Sequence, residues 1–147
     1  MGMTTRLGID DVRPLISAGS VASKAVVGEV IPVTALVWRE GHDAVSATLS
    51  AWAARTAATS SVTMHVDPDD QDRVHGVFTP GTQGTWYFRV DAWSDPIATW
   101  KNAVTKKMAA GQSAAELAND LQHGAELFSR AALQTPSDVV EPLFAAA

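Results

Sequence analysis

The sequence contains no cysteine. That absence excludes disulfides, thiolate zinc sites and cysteine nucleophiles together, and it fits a protein of the reducing cytosol. Long apolar runs are missing too. None approaches the roughly 20 residues that cross a bilayer as a helix, so no membrane partner is expected. No apolar h-region of a secretory signal follows the N-terminus. Met1-Gly2 invites a myristoylation reading, but that pattern requires Ser or Thr at the sixth residue, and Arg6 stands there. A basic surplus is also absent: 11 Lys and Arg stand against 16 Asp and Glu, for a formal charge of −5. A duplex-binding face needs cations to displace counterions, so nucleic acid is excluded as a partner.

What remains is globular. Hydrophobic residues make up 46% of the 147, which suffices for one domain with a core, or one domain and part of a second. Five Trp are many for this length. The first two thirds read as β. Residues 7–12 form a short edge-like segment stopped by Pro14, and residues 31–38 (IPVTALVW) form an apolar β-branched strand with Pro32 near its start. Residues 45–53 alternate, with Val45, Ala47, Leu49 and Ala51 on one face and Ser46, Thr48, Ser50 and Trp52 on the other. Residues 62–66 and 74–79 are two further strands around the turn Asp67-Pro68-Asp69-Asp70. After the turn at 80–84, residues 85–92 (TWYFRVDA) are dense in aromatic and β-branched side chains. Trp86, Phe88 and Val90 point to one side, read as core, and Tyr87, Arg89 and Asp91 to the other. Asp95-Pro96 breaks that strand as a rigid corner, and residues 97–106 are expected to form the last one. Six or seven short strands at this spacing predict an immunoglobulin-like antiparallel β-sandwich.

The chain then changes character. Residues 113–133 are rich in Ala, Leu and Glu, and Leu117, Leu121, Leu127 and Phe128 keep helical spacing. Ser113 and Glu116 form a capping box at the start, and Thr135-Pro136 ends the helix. Ser137-Asp138 begins a second helix over 139–147, with Pro142 in its first turn. It ends on Ala145-Ala146-Ala147 without a capping glycine. An apolar stripe must bury itself against something. The expectation is therefore a fragment, or a chain that dimerises through these helices. The predicted architecture is mainly β with C-terminal α: a sandwich over 1–108 and the start of a helical bundle over 109–147.

Two strings stand out. VWREGHDAV, residues 37–45, ends a strand in a cluster of charge, and VDAWSDPIATW, residues 90–100, sets two Trp around a turn. Together with DDVRPLISAG at 10–19, KAVVGE at 24–29, AAGQSAAELANDL at 109–121 and GAELFSRAA at 124–132, they resemble, in the same order, the start of bacterial α-1,4-glucan:maltose-1-phosphate maltosyltransferase. The similarity runs from about Asp10 to Phe144 and is weakest over 52–72, where loops vary freely. The resemblance implies a cytosolic enzyme of the α-amylase superfamily. It moves maltosyl units from α-maltose 1-phosphate to α-1,4-glucans in glycogen-like polymer synthesis, with retention of configuration. It implies an N-terminal sandwich and helical bundle that help build a homodimer, and a catalytic barrel later in the same polypeptide. The family's catalytic carboxylates have no counterpart among these residues.

The candidate site residues have a chemistry of their own. Glu40, His42 and Asp43 around Gly41 invite an acid–base or metal reading. A retaining pair of carboxyls stands about 5–5.5 Å apart, but many loop carboxylates satisfy that. A metal needs more ligands, while His65, His75 and His123 lie on other elements. The plainer reading is a turn in which Arg39 pairs with an acid, serving an interface or a substrate-proximal loop. Trp93 and Trp100 are the candidates for carbohydrate or interface contact. Lys101, Lys106 and Lys107 read as a solvated edge that discourages sheet-to-sheet association. No catalytic residue, metal or cofactor is assigned. The expected partners are a catalytic barrel, a second copy and an α-glucan. The two alternatives are a glucan-binding module and a stand-alone protein dimerised by its helices.

Overall fold

The computed structural model describes residues 6–134. The expected helix over 139–147, its cap at Ser137-Asp138 and the stop at Thr135-Pro136 lie outside the described residues. The chain divides into two compact units between Ser94 and Asp95. Among the described residues, the first holds seven strands: β1 (Leu7–Arg13), β2 (Ile31–Arg39), β3 (Val45–Ala53), β4 (Thr59–Thr63), β5 (His65–Val66), β6 (Arg73–Phe78) and β7 (Trp86–Ser94). The second holds α1 (Pro96–Ala109) and α2 (Ala118–Leu133).

The strands form two antiparallel sheets, ordered β1-β2-β6-β5 and β4-β3-β7. Alternate residues of each strand face inward. Val33, Ala35 and Val37 from β2 therefore meet Ala47 and Leu49 from β3, with Val74 and Val90 beside them. Leu49, 1% exposed, is among the largest fully buried side chains. It lies against β6 at Gly76, where a Cβ would sit 3.1 Å from Leu49 Cδ2 and 3.2 Å from Met64 Cγ. A glycine there leaves room for both side chains.

The strand expected over 62–66 is two strands in two sheets. Val62 pairs with Leu49, but Val66 pairs with Val74 in the other sheet. Buried Met64 carries the chain across, its N–H donating to Ala47 O at 2.8 Å. At the outer edge, β1 carries a bulge. Its register with β2 shifts between Asp10 and Arg13, and Asp11 takes a φ of 46°. A left-handed conformation at a non-glycine residue is costly. Here the Asp11 carboxylate offsets that cost by pairing with Arg13 at 2.9 Å and Arg73 at 3.3 Å. The Arg13 hydrogen bond first, then Arg73, holds its carboxyl below the ordinary range.

Residues 97–106, expected as the last strand, are helical. Asp95 is the N-cap of α1, accepting from Ala98 N at 2.9 Å, and Pro96 fills the first turn, where its missing N–H costs nothing. Lys106 and Lys107 stand in the last turn, where cations complement the helix carbonyls. Gly111, at φ 84°, closes the helix: its N–H reaches Met108 O at 2.9 Å and Gln112 N–H reaches Lys107 O at 3.2 Å. This is a Schellman closure. The three lysines thus guard no strand edge, and Lys107 Nζ bonds both carboxylate oxygens of Asp120 at 2.8 Å.

The Ser113–Glu116 bonds form, with Glu116 Oε2 accepting from Ser113 N at 2.7 Å and Ser113 Oγ accepting from Glu116 N at 3.4 Å. They close a turn ahead of α2 and do not cap it: the helix begins at Ala118, and its N-cap, Leu117, makes no side-chain bond. Those bonds to Ser113 lower the Glu116 pKa. Between the helices, the Trp100 indole lies against Gly124, where a Cβ would fall inside the ring. Its Nε1 donates to Asp120 O at 2.6 Å, and Phe128 meets it edge-on at 6.0 Å.

Two substitutions check these contacts. Leu49→Ala is expected to cost about 2–5 kcal/mol, as for buried leucines generally, measured by urea unfolding. Gly124→Ala, which would gain about 1 kcal/mol in an open helix, is expected to destabilise instead, because the methyl displaces Trp100. An unchanged or raised melting temperature for that variant would refute the Trp100–Gly124 packing.

Candidate functional site

The turn of VWREGHDAV connects β2 to β3. Arg39 ends β2 with its guanidinium largely covered, donating to Ser94 Oγ on β7 at 2.9 Å and pairing with Asp43 at 3.0 Å. Its Nε is buried and finds no partner among the described residues. Gly41, at φ 102°, supplies the conformation that reverses the chain. Glu40 and His42 point to solvent. Arg39 and Asp43 therefore brace the turn, tying the end of β2 to the end of β7, and Glu40 and His42 are left as its exposed rim.

The outer face of β4-β3-β7 gathers more. Residues paired across antiparallel strands share a face. With Ala47, Leu49 and Ala51 turned inward, the pairs Trp52–Tyr87, Ser50–Arg89, Thr48–Asp91 and Ser46–Trp93 all turn outward. Thr59, Ser61 and Thr63 of β4 extend the same rows. Tyr87 is 52% exposed and Trp93 41%. Trp52 and Tyr87 are tilted neighbours, with centroids 6.0 Å apart. Trp93 Nε1 donates to Thr48 Oγ1 at 3.1 Å, which fixes the indole along the sheet. Between the two aromatic ends lie the Ser50–Ser61 hydroxyl pair, 2.9 Å apart, and the Arg89–Asp91 ion pair at 2.9 Å.

Of the two Trp residues singled out from sequence, Trp93 is thus on an open face and Trp100 is held inside the helix pair. Sequence reasoning missed Tyr87 and Trp52 as members of the Trp93 face. The alternation along β7 and β3 was their signal.

The outer face of the other sheet is charged. Trp38 lies flat on Gly8, where a Cβ would fall inside the indole, and donates to Asp10 Oδ2 at 3.0 Å. Asp67, in the β5–β6 turn, accepts from Asp69 N at 2.8 Å and bonds His75 Nε2 at 2.7 Å, so that nitrogen carries hydrogen. The Asp69 N–H first, then His75, draws the Asp67 pKa below its ordinary value of 3.8. Among the described residues no three His, Asp or Glu are grouped to hold a metal ion, and no helix is long and apolar enough to cross a membrane.

Comparison with known proteins places the chain among relatives. Residues 5–147 match the family model of α-1,4-glucan:maltose-1-phosphate maltosyltransferase, domain N/S. The curated maltosyltransferase of Corynebacterium pseudotuberculosis is 54% identical over 99% of this chain and 22% of its own length. That of Mycolicibacterium smegmatis is 46% identical over 97% of this chain and 24% of its own length. The Salinibacter ruber protein is 34% identical over 96% and 21%. The chain thus spans about a fifth of the length of the curated relatives it matches.

The Asp67 arrangement predicts a pH dependence. A carboxyl whose pKa is depressed on folding stabilises above its unfolded pKa, and that contribution is lost as pH falls through the folded one. Asp67→Asn is therefore expected to lower the melting temperature at pH 7, with the gap to the parent closing below pH of about 4. A gap of constant size down to strongly acid pH would show that Asp67 acts without its charge.

Proposed function

Because the chain belongs to the α-1,4-glucan:maltose-1-phosphate maltosyltransferase family and matches its domain N/S, we propose that it is the N-terminal accessory part of such an enzyme. In this reading the chain carries no transferase chemistry of its own. It packs on a catalytic barrel supplied by a later part of the same polypeptide, and it helps two copies assemble in a cytosolic enzyme of glycogen-like polymer synthesis. The carrying observation is the domain N/S match over residues 5–147, on relatives of which the chain covers about a fifth.

The fold is suited to that work. The sandwich offers stiff surfaces, and its braced turn at Arg39–Asp43 presents Glu40 and His42 at a fixed place. A second support is the apolar segment between β1 and β2. Leu15, Val21 and Val26 are each more than half exposed, and with Trp86 and Phe78 they border an open cleft of about 940 Å³. Apolar exposure of this kind marks a surface meant to be covered. Glu29 stiffens the segment by accepting from Val26 N at 2.8 Å, and Gly28 N–H anchors it to Pro80 O at 2.9 Å.

The test is phosphate release from α-maltose 1-phosphate with maltohexaose as acceptor. The 147-residue chain is expected to release phosphate no faster than buffer, and a polypeptide extended to the relatives' length to turn over. Turnover by the 147-residue chain itself would sink the accessory reading.

A further inference from the structure

We propose that the outer face of the β4-β3-β7 sheet is a docking surface for a linear α-1,4-linked gluco-oligosaccharide, lying from the Trp52–Tyr87 pair across the hydroxyl rows to Trp93. The choice of an α-1,4-glucan among neutral oligosaccharides rests on the family reading above. The surface itself rests on geometry.

A pyranose chain presents apolar C–H faces and a fringe of hydroxyls. It is matched by exposed aromatic rings separated by polar groups that both donate and accept. This face has that order. Trp52 and Tyr87 stand in one row of the sheet and Trp93 three rows away. Trp93 stands six residue steps along β7 from Tyr87, a run of about 20 Å, long enough for several sugar rings in line. The rows between hold Thr48, Ser61 and Thr63, with Arg89 and Asp91, while Ser50 lies buried beneath them and bonded to Ser61.

Arg89 and Asp91 are paired with each other, so the face has no net charge although the chain carries −5. A neutral glycan suits it better than an anionic polymer or a basic protein segment. The rings are also prepared. Trp93 is fixed by its bond to Thr48, and Trp52 and Tyr87 restrain one another. Little ordering cost remains for binding to meet. Tyr87 and Trp93 stay substantially exposed despite these restraints.

The chain's five Trp residues report separately in a nitrogen–proton spectrum. On titration with maltoheptaose to millimolar concentration, the indole N–H signals of Trp52 and Trp93 are expected to shift saturably. Those of Trp38, on the other sheet, and of Trp86 and Trp100 are expected to hold. Trp93→Ala and Tyr87→Ala, checked for a native spectrum elsewhere, should each weaken binding by about tenfold. Because the unmodified chain gives the primary readout, a variant that misfolds does not blunt the test.

Three results would overturn the proposal: no saturable shift, shifts at Trp38 equal to those at Trp93, or a response to cellohexaose without one to maltoheptaose. Hydroxyl-radical labelling supplies a fourth. If Tyr87 and Trp93 are labelled in the 147-residue chain but protected in a polypeptide of the relatives' length, the protein itself covers this face. None of these outcomes alters phosphate release, so failure here is distinguishable from failure of the accessory reading.

Discussion

Leu49 pressed against Gly76 is the contact that fixes the sandwich. The leucine reaches from β3 toward the opposite sheet at a point where β6 has no side chain. Met64 closes in beside it while carrying the chain from one sheet to the other. Because side chains alternate along a strand, burying Leu49 also commits its neighbours. Thr48 and Ser50 must face outward, and their partners Asp91 and Arg89 with them. A slip of one residue would bury the hydroxyls and expose the core, so the register cannot drift. The order of groups on the open face is therefore set from inside the fold.

Each unit is held together internally by its own means. The sandwich relies on area: small aliphatic side chains from both sheets share one core. The helical unit relies on a few specific contacts around Trp100. Its ring needs Gly124, its Nε1 needs a carbonyl in the first turn of α2, and the same Asp120 that offers that carbonyl receives Lys107 on its carboxylate. Substitution of an aliphatic residue in the first unit leaves a cavity that neighbours share. The second unit has little to share around Trp100.

Most strands were legible because β-branched residues alternate between clear turn signals. The split at Met64 was not, since an apolar residue crossing between sheets resembles one that stays within a strand. Residues 97–106 misled for a related reason. Ile97, Thr99, Val104 and Thr105 favour strands, and Asp-Pro reads as a corner. Yet the helix was bracketed in the sequence by Asp95 and Pro96 at its start and by Lys106, Lys107 and Gly111 at its end. Recognising those ends would have placed Trp100 on a helix, four residues before Val104, and so among buried positions. Trp100 became a surface candidate because it flanks Asp95-Pro96, read as a corner and not as a helix start. For VWREGHDAV the plain chemistry was readable, with Gly41 turning the chain and Arg39 pairing with an acid. The bond from Arg39 to Ser94 was not, because it spans 55 residues of sequence.

The bulge in β1 has a consequence for association. A strand on the rim of a sheet offers a row of unpaired amides that another chain can continue. In β1 the left-handed turn at Asp11 interrupts that row midway, and Arg13 and Arg73 gather on its carboxylate. At the opposite rim β5 is only two residues long. An incoming strand would find too few amides in sequence at either rim to template a ladder. The rims of the first sheet are thereby protected against open-ended, fibre-like stacking.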